Sequence, residues 1–400
     1  MVSFFSSFRF AGYRNLWITT VAVIGGVQMS MAGRALLADD LTNSAFFAGI
    51  VVMGFAPTLL LFSVVGGIVG DKFQNRRVIQ SIQSGFLFLS SITTLLIYTG
   101  LINWQFLFIS SLIQGALFSF QLPARQSFIP KLVPAETVGN GVALLAGGMS
   151  LVAVFSGAGV GFVYGRFGPG GVFLVITIVQ LIAFLLSLKL PKTEVDSNVS
   201  SDYVSEIKNS YAYLKGNKAV LVILLSSMLI SLMAMPIRLQ LPIIARRLYG
   251  ISPEEIGIML TVAAVGAVIG TIIISPIKKG VIRLVLFLGS AFGLAISILL
   301  MGALPIYFVG LIFVLFLGAF EQIRMAMSNV LTIEYTDQKF RARMMGFYML
   351  NFAFIPLGAL PIGFSIDEFG VTPTLIIDAI LLIIALVIFM ILSKSIRNLR

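Results

Sequence analysis

Twelve runs of roughly 20 apolar residues, separated by short polar breaks, fill almost the whole chain, and they constrain it more than any other feature. A bilayer core of about 30 Å needs about 20 apolar residues per helical crossing. The runs at 16–38, 46–69, 78–100, 103–123, 138–164, 171–190, 219–247, 254–276, 281–302, 304–326, 341–366 and 371–393 each meet that length. Charged residues make up 11% of the 400 residues and hydrophobic ones 58%, against about 25% charged in soluble domains. So few charges cannot solvate a water-exposed exterior, which excludes a soluble enzyme. A β-barrel is excluded as well, because the run Ile380–Ile388 shows no alternation of lipid-facing and lumen-facing residues. The fold expected is therefore an all-α membrane protein. The chain has neither His nor Cys, so disulfides, thiolate or imidazole metal sites and His-based nucleophile systems are ruled out. No metal or cofactor is expected, and no enzymatic activity.

The cations set an orientation. With both termini in the cytosol, all Lys and Arg fall at the inner face except Arg34, Arg166, Arg238, Arg246, Arg247 and Arg324. That is the positive-inside pattern. It assigns the net charge of +11 to anionic headgroups rather than to nucleic acid. A cytoplasmic (inner) membrane location is expected.

The chain also repeats itself. Gly115-Ala116 recurs as Gly318-Ala319, and Gly161-Phe162 with Phe167-Gly168 recurs as Gly363-Phe364 with Phe369-Gly370. Arg34 maps near Arg238, Arg76 near Lys279, and Gln121 near Arg324. Two pseudo-symmetric six-helix bundles follow, 1–190 and 219–400, with a path for cargo expected at their interface. Residues 191–218 form the connection. Tyr203, Val204, Ile207, Tyr211 and Leu214 recur there at helical spacing, as in an amphipathic helix on the inner leaflet.

Charged and amide groups inside the runs mark candidate functional positions, because each is costly in a bilayer unless it faces a cavity or a partner. Arg34 lies on one stripe with Ser30 and Gly26, and Arg238 shares a face with Ser231 and Ser227. The two arginines either face a cavity, where they favour an anionic cargo group, or snorkel to outer headgroups. Glu321 and Arg324, spaced i,i+3, can pair on one helix face, as a structural ion pair or as part of a coupling site. Gln114, Gln121 and Arg125 fall on one stripe. Glu321 is the first candidate for a protonatable coupling residue and Asp378 the second, with Gln28 and Asn351 as further cavity candidates.

Three stretches resemble the major facilitator superfamily, and within it the bacterial efflux branch of macrolide and enterobactin-type exporters. They are Gly66-Gly67-Ile68-Val69-Gly70-Asp71-Lys72-Phe73-Gln74-Asn75-Arg76-Arg77, then Pro123-Ala124-Arg125 with Pro130, Pro134 and Asn140, and Pro356-Leu357-Gly358-Ala359 through Asp367-Glu368-Phe369-Gly370. The resemblance implies the twelve-helix major facilitator fold. It also implies a cytoplasmic gate at Asp71, Lys72, Arg76, Arg77, Arg125 and Arg341. Departures are visible. Gln74 and Asn75 stand where the family usually has Gly and Arg, a proline is missing from 157–161, and Ser111 occupies a position that often carries Arg three residues before Gln114-Gly115. The last two weaken the usual form of proton antiport. The activity expected is secondary export of small amphipathic or anionic molecules, drug- or siderophore-like, by alternating access. Protons and the bilayer are the other expected partners, and the expected state is a monomer. An uptake permease, a lipid-handling relative and a non-transporting membrane protein are the alternatives.

Overall fold

The computed structural model describes residues 6–62, 74–192, 211–275, 277 and 281–392, and they are helical nearly throughout. The membrane-length helices are α1 (Ala11–Thr42), α2 (Ala45–Phe62), α3 (Asn75–Tyr98) and α4 (Trp104–Gln126). A 50-residue helical stretch, Val138–Ser187, follows. At about 1.5 Å per residue it is far longer than one bilayer crossing, and it breaks at Gly168 (φ 67°, ψ −172°) just before Pro169. It is therefore two spans, α5 (138–167) and α6 (169–187). The second half contributes α7 (Lys218–Leu239), α8 (Pro253–Ile274), α9 (Val281–Ala303), α10 (Tyr307–Glu334), α11 (Arg343–Phe369) and α12 (Val371–Leu392). Splitting the long stretch brings the eleven membrane-length segments among the described residues to the twelve expected. Asp71 and Lys72, most of the connection from 191 to 218, and Lys279 lie outside the described residues.

The chain divides into two compact units. One comprises Met1–Asn43, Ile50–Val199 and Ser252–Thr261, and the other Ser44–Gly49, Ser200–Ile251 and Val262–Arg400. Each unit reverses the pattern of a soluble protein. Phe88, Phe155 and Phe308 are exposed while Arg125 and Arg324 are among the largest fully buried side chains. Lipid solvates the outer aromatic surface, so the polar groups collect inside.

The internal repeat has a backbone signature. Gly168 (φ 67°) and Gly370 (φ 84°, ψ 170°) occupy the same left-handed, extended conformation between the last two spans of their units. That region is essentially closed to residues with a Cβ, which accounts for Phe-Gly recurring there. The Gly115/Gly318 pair marks a second shared feature, close helix approach. A Cβ at Gly115 would run into the carbonyl oxygen of Phe55 on α2, and one at Gly318 into that of Ala263 on α8.

At the start of α2 an acid from α11 completes the helix end. The Asp367 carboxylate accepts from Ala45 N at 2.9 Å, Phe46 N at 2.9 Å and Ser44 Oγ at 2.5 Å. Arg247 donates to the same carboxylate at 2.7 Å. The first turn of a helix has N–H groups with no intrahelical partner, and here a carboxylate more than 300 positions away supplies the acceptor within the second unit.

Candidate functional site

In the first unit α1 presents Gly26, Ser30 and Arg34 on its inner stripe, and all three line one polar cavity of about 10 Å³. Phe86, Leu89, Ser90 and Thr93 of α3, Gln114 of α4, and Phe173, Ile176 and Gln180 of α6 complete its wall. Arg34 is only 4% exposed, so of its two expected placements the structure takes the interior one. Its Nη1 donates to Ser111 Oγ at 3.3 Å and to Gln114 Oε1, and its Nε has no partner. Ser111 stands where the family often has Arg, and in this chain the guanidinium reaches that spot from α1 instead.

A second arginine is buried in the same unit. The family resemblance puts Arg125 at a cytoplasmic gate, but it is 1% exposed and turned into the bundle. Its Nη1 donates to Thr19 Oγ1 at 3.2 Å and Thr20 Oγ1 at 2.5 Å, and its Nη2 to Gln83 Oε1 at 3.4 Å. The reason lies in the helix: α4 runs on through Pro123 to Gln126, so Arg125 is a helical residue with a buried face, on the stripe it shares with Gln114 and Gln121. Gln83 Nε2 in turn donates to Gln180 Oε1 at 2.7 Å. A chain of hydrogen bonds thus runs from Arg125 through Gln83 to Gln180 at the wall of the Arg34 cavity. Gln121 is fully buried with both amide atoms unpartnered.

The second unit repeats the α1-to-α4 contact with a different acceptor. Arg238 Nη1, on α7, donates to Glu321 Oε2 on α10 at 2.7 Å, with side chains 28% and 11% exposed. Glu321 is thus bonded across helices and not to Arg324. Spacing of i,i+3 allows that pairing, but Arg324 turns toward α7, where its Nη1 donates to Ser227 Oγ at 3.1 Å, and Glu321 is taken by Arg238. Nε and Nη2 of Arg324 are unpartnered. Ser231 Oγ donates to Asn351 Oδ1 at 3.4 Å, and Asn351 Nδ2 to the Tyr348 carbonyl at 2.7 Å. Ser227 and Ser231, placed on the Arg238 face by spacing, thus serve Arg324 and Asn351. Asp378 is buried on α12 with Oδ2 unpartnered.

The remaining candidates lie apart from these clusters. Gln28 is exposed, on a different face of α1 from Arg34, and so departs from the expected cavity position. Arg76 Nη2 donates to the Leu188 carbonyl at 3.0 Å, Arg77 is exposed, and Arg341 Nε donates to the Thr336 carbonyl at 3.3 Å. Sequence reasoning passes over Gln83 and Gln180 entirely. Their signal is present, since an amide inside an apolar run calls for a partner, but nothing in spacing alone says that two such amides meet.

The profile of the MFS_3 family, transmembrane secretion effectors, matches residues 2–397. The chain belongs to that family. It is a multi-pass transporter of the major facilitator superfamily rather than an enzyme. Among curated proteins it is 23% identical to the staphyloferrin A transporter of Staphylococcus aureus (strain NCTC 8325 / PS 47), over 358 residues and 89% of each chain. It is 22% identical to macrolide efflux protein A of Enterococcus faecalis over 267 residues, 66% of this chain and 82% of that one. The crystal structure of the nucleoside transporter NupG has the same fold, with a TM-score of 0.77 at 14% identity, covering 96% of this chain and 98% of that one. A bacterial homologue of the lysosomal transporter Spinster aligns with a TM-score of 0.72 at 13% identity over 96% of each chain.

Proposed function

We propose that this transporter exports small anionic or amphipathic molecules across the cytoplasmic membrane by alternating access, with both termini in the cytosol. The observation that carries the reading is the charge balance inside the units. Four arginines, Arg34, Arg125, Arg238 and Arg324, sit within the helix bundles, and of these only Arg238 is bonded to a carboxylate among the described residues. An interior with this surplus of guanidinium donors favours carboxylate- or phosphate-bearing cargo over cationic cargo. Arg238 is the most accessible of the four and is the group assigned to meet the cargo. The names of the curated relatives support small organic cargo and, for the macrolide protein, efflux.

Energetics agree with export. An anion leaving an inside-negative cell moves down the membrane potential, worth about 2.3 kcal/mol per charge per 100 mV. No second ion is required for that step. A second reading rests on the Arg238–Glu321 bond. An anion that takes Arg238 displaces Glu321 from it, and a proton carried on the displaced carboxylate would travel with the anion. Proton and anion are thereby coupled in the same direction, which is the linkage of an uptake symporter rather than an antiporter.

Purified protein in proteoliposomes separates the two. With carboxyfluorescein as probe, export predicts flux driven by an imposed potential, and a fall of tenfold or more in Arg238→Gln. Equal transport of cationic and anionic probes would sink the charge argument. Flux driven by a pH gradient alone, and lost in Glu321→Gln, would replace export by symport.

A further inference from the structure

We propose that the Arg34 cavity of the first unit is a binding site for a single inorganic anion of halide size, with chloride as the physiological occupant. Three observations converge on it. First, Arg34 is 4% exposed, and its bonded partners are the neutral Ser111 hydroxyl and Gln114 amide oxygen, with Nε left unpartnered. Neutral acceptors satisfy N–H groups but do not cancel a buried charge, whose desolvation costs several kcal/mol. An anion beside the guanidinium does cancel it.

Second, the polar groups left over around the cavity are donors. Gln114 has its oxygen engaged by Arg34, so its amide nitrogen is the group that remains. Gln180 is oriented the same way by a longer route. Arg125 can only donate, so the Gln83 atom that meets it must be the oxygen, which leaves the Gln83 nitrogen to donate to the Gln180 oxygen. The Gln180 amide nitrogen is then the free end of the relay, lying over Gly26 at the cavity wall. Arg125 thus sets the polarity of a site it does not touch. Ser90 and Thr93 spend their hydroxyl protons on the Leu87 and Leu89 carbonyls, so the anion's donors are Arg34, Gln114, Gln180 and Ser30.

Third, the space is small. At about 10 Å³ it is at the lower limit for one water-sized body, so a chloride ion, somewhat larger than water, enters with a small movement of the flexible Gln114 and Gln180 side chains. The cavity has no room for the body of an organic cargo, so the proposal does not rest on the export reading and survives its failure.

The test is the thermal stability of purified protein in detergent, in sodium chloride, sodium formate or sodium gluconate at equal ionic strength. Binding to the native state alone raises Tm with ligand concentration, and a saturable rise of roughly 2–4 °C in chloride over gluconate is expected for a unit of this size. The rise should vanish in Arg34→Gln and in Gly26→Ala, whose new Cβ would lie 2.6 Å from Gln180 Nε2. It should persist in Arg77→Gln, which removes an exposed cation. Broadening of the ³⁵Cl resonance by wild type and its loss in Gly26→Ala provide a readout should Arg34→Gln not fold. No chloride-dependent shift overturns the proposal, as does a shift retained by both cavity variants, which would be ionic screening. A response to formate without one to chloride would show a carboxylate site and overturn it too.

Discussion

Breaking the Arg238–Glu321 bond from its two ends should not cost the same, and the difference is a test of the arrangement in the second unit. Two unit charges about 4 Å apart attract by about 4 kcal/mol at an effective dielectric constant near 20. Removing one member of a buried pair costs about 3–5 kcal/mol, because the survivor stays buried and unpaired. Arg238 is 28% exposed and Glu321 11%, so the lower end applies. Glu321→Gln strands Arg238 and also removes a carboxylate acting on Arg324, for a loss of roughly 3 kcal/mol. Arg238→Gln leaves Glu321 with Arg324 still near on the same helix, for a loss of roughly 2 kcal/mol. The double variant removes both charges together and should cost about 3 kcal/mol rather than 5, a coupling of about 2 kcal/mol. At about 2–4 °C per kcal/mol for a unit of this size, Glu321→Gln lowers Tm by roughly 6–12 °C. Thermal unfolding of the four proteins in one detergent reads out the cycle. Additive losses, or a larger loss for Arg238→Gln than for Glu321→Gln, would refute the pairing.

Asp367→Asn should lower Tm by the equivalent of about 1–2 kcal/mol, since it weakens the acceptor at the start of α2 and removes the ion pair with Arg247; an unchanged Tm, measured by differential scanning fluorimetry, counts against a structural role. Gly370→Ala should cost about 1–3 kcal/mol through its backbone conformation (φ 84°, ψ 170°), whereas Gly139→Ala, with open space around its Cβ position, should be near neutral. The chain has no native Cys, so Leu101→Cys and Arg77→Cys, both at exposed positions, report sidedness to an impermeant maleimide on intact cells. Labelling of Leu101→Cys alone is expected, and labelling of both from one side contradicts cytosolic termini.

Hydropathy and the repeat carry most of the fold, because a bilayer demands long apolar runs whatever the tertiary contacts. Even the break at Gly168 is legible, through the Phe-Gly pair that returns at 369–370. The stripe Gly26, Ser30, Arg34 is legible too, since helical periodicity alone places those residues on one face. Pairing is not. Glu321 sits three residues from Arg324 and the structure gives it to Arg238, because a tertiary neighbour with room to approach outcompetes a local one. Spacing puts Arg125 on the stripe of Gln114 and Gln121, but it does not say that Thr19, Thr20 and Gln83 of other helices are its partners. The acceptor at the head of α2 comes from Asp367, a separation along the chain that no local pattern encodes.

A reversal made by a single residue has a mechanical consequence. Between α5 and α6, and again between α11 and α12, there is no stretch of loop to absorb slack, only one torsion pair at Gly168 or Gly370. The last two rods of each bundle are therefore tied end to end through one residue, and any change in their mutual angle has to pass through that glycine's φ and ψ.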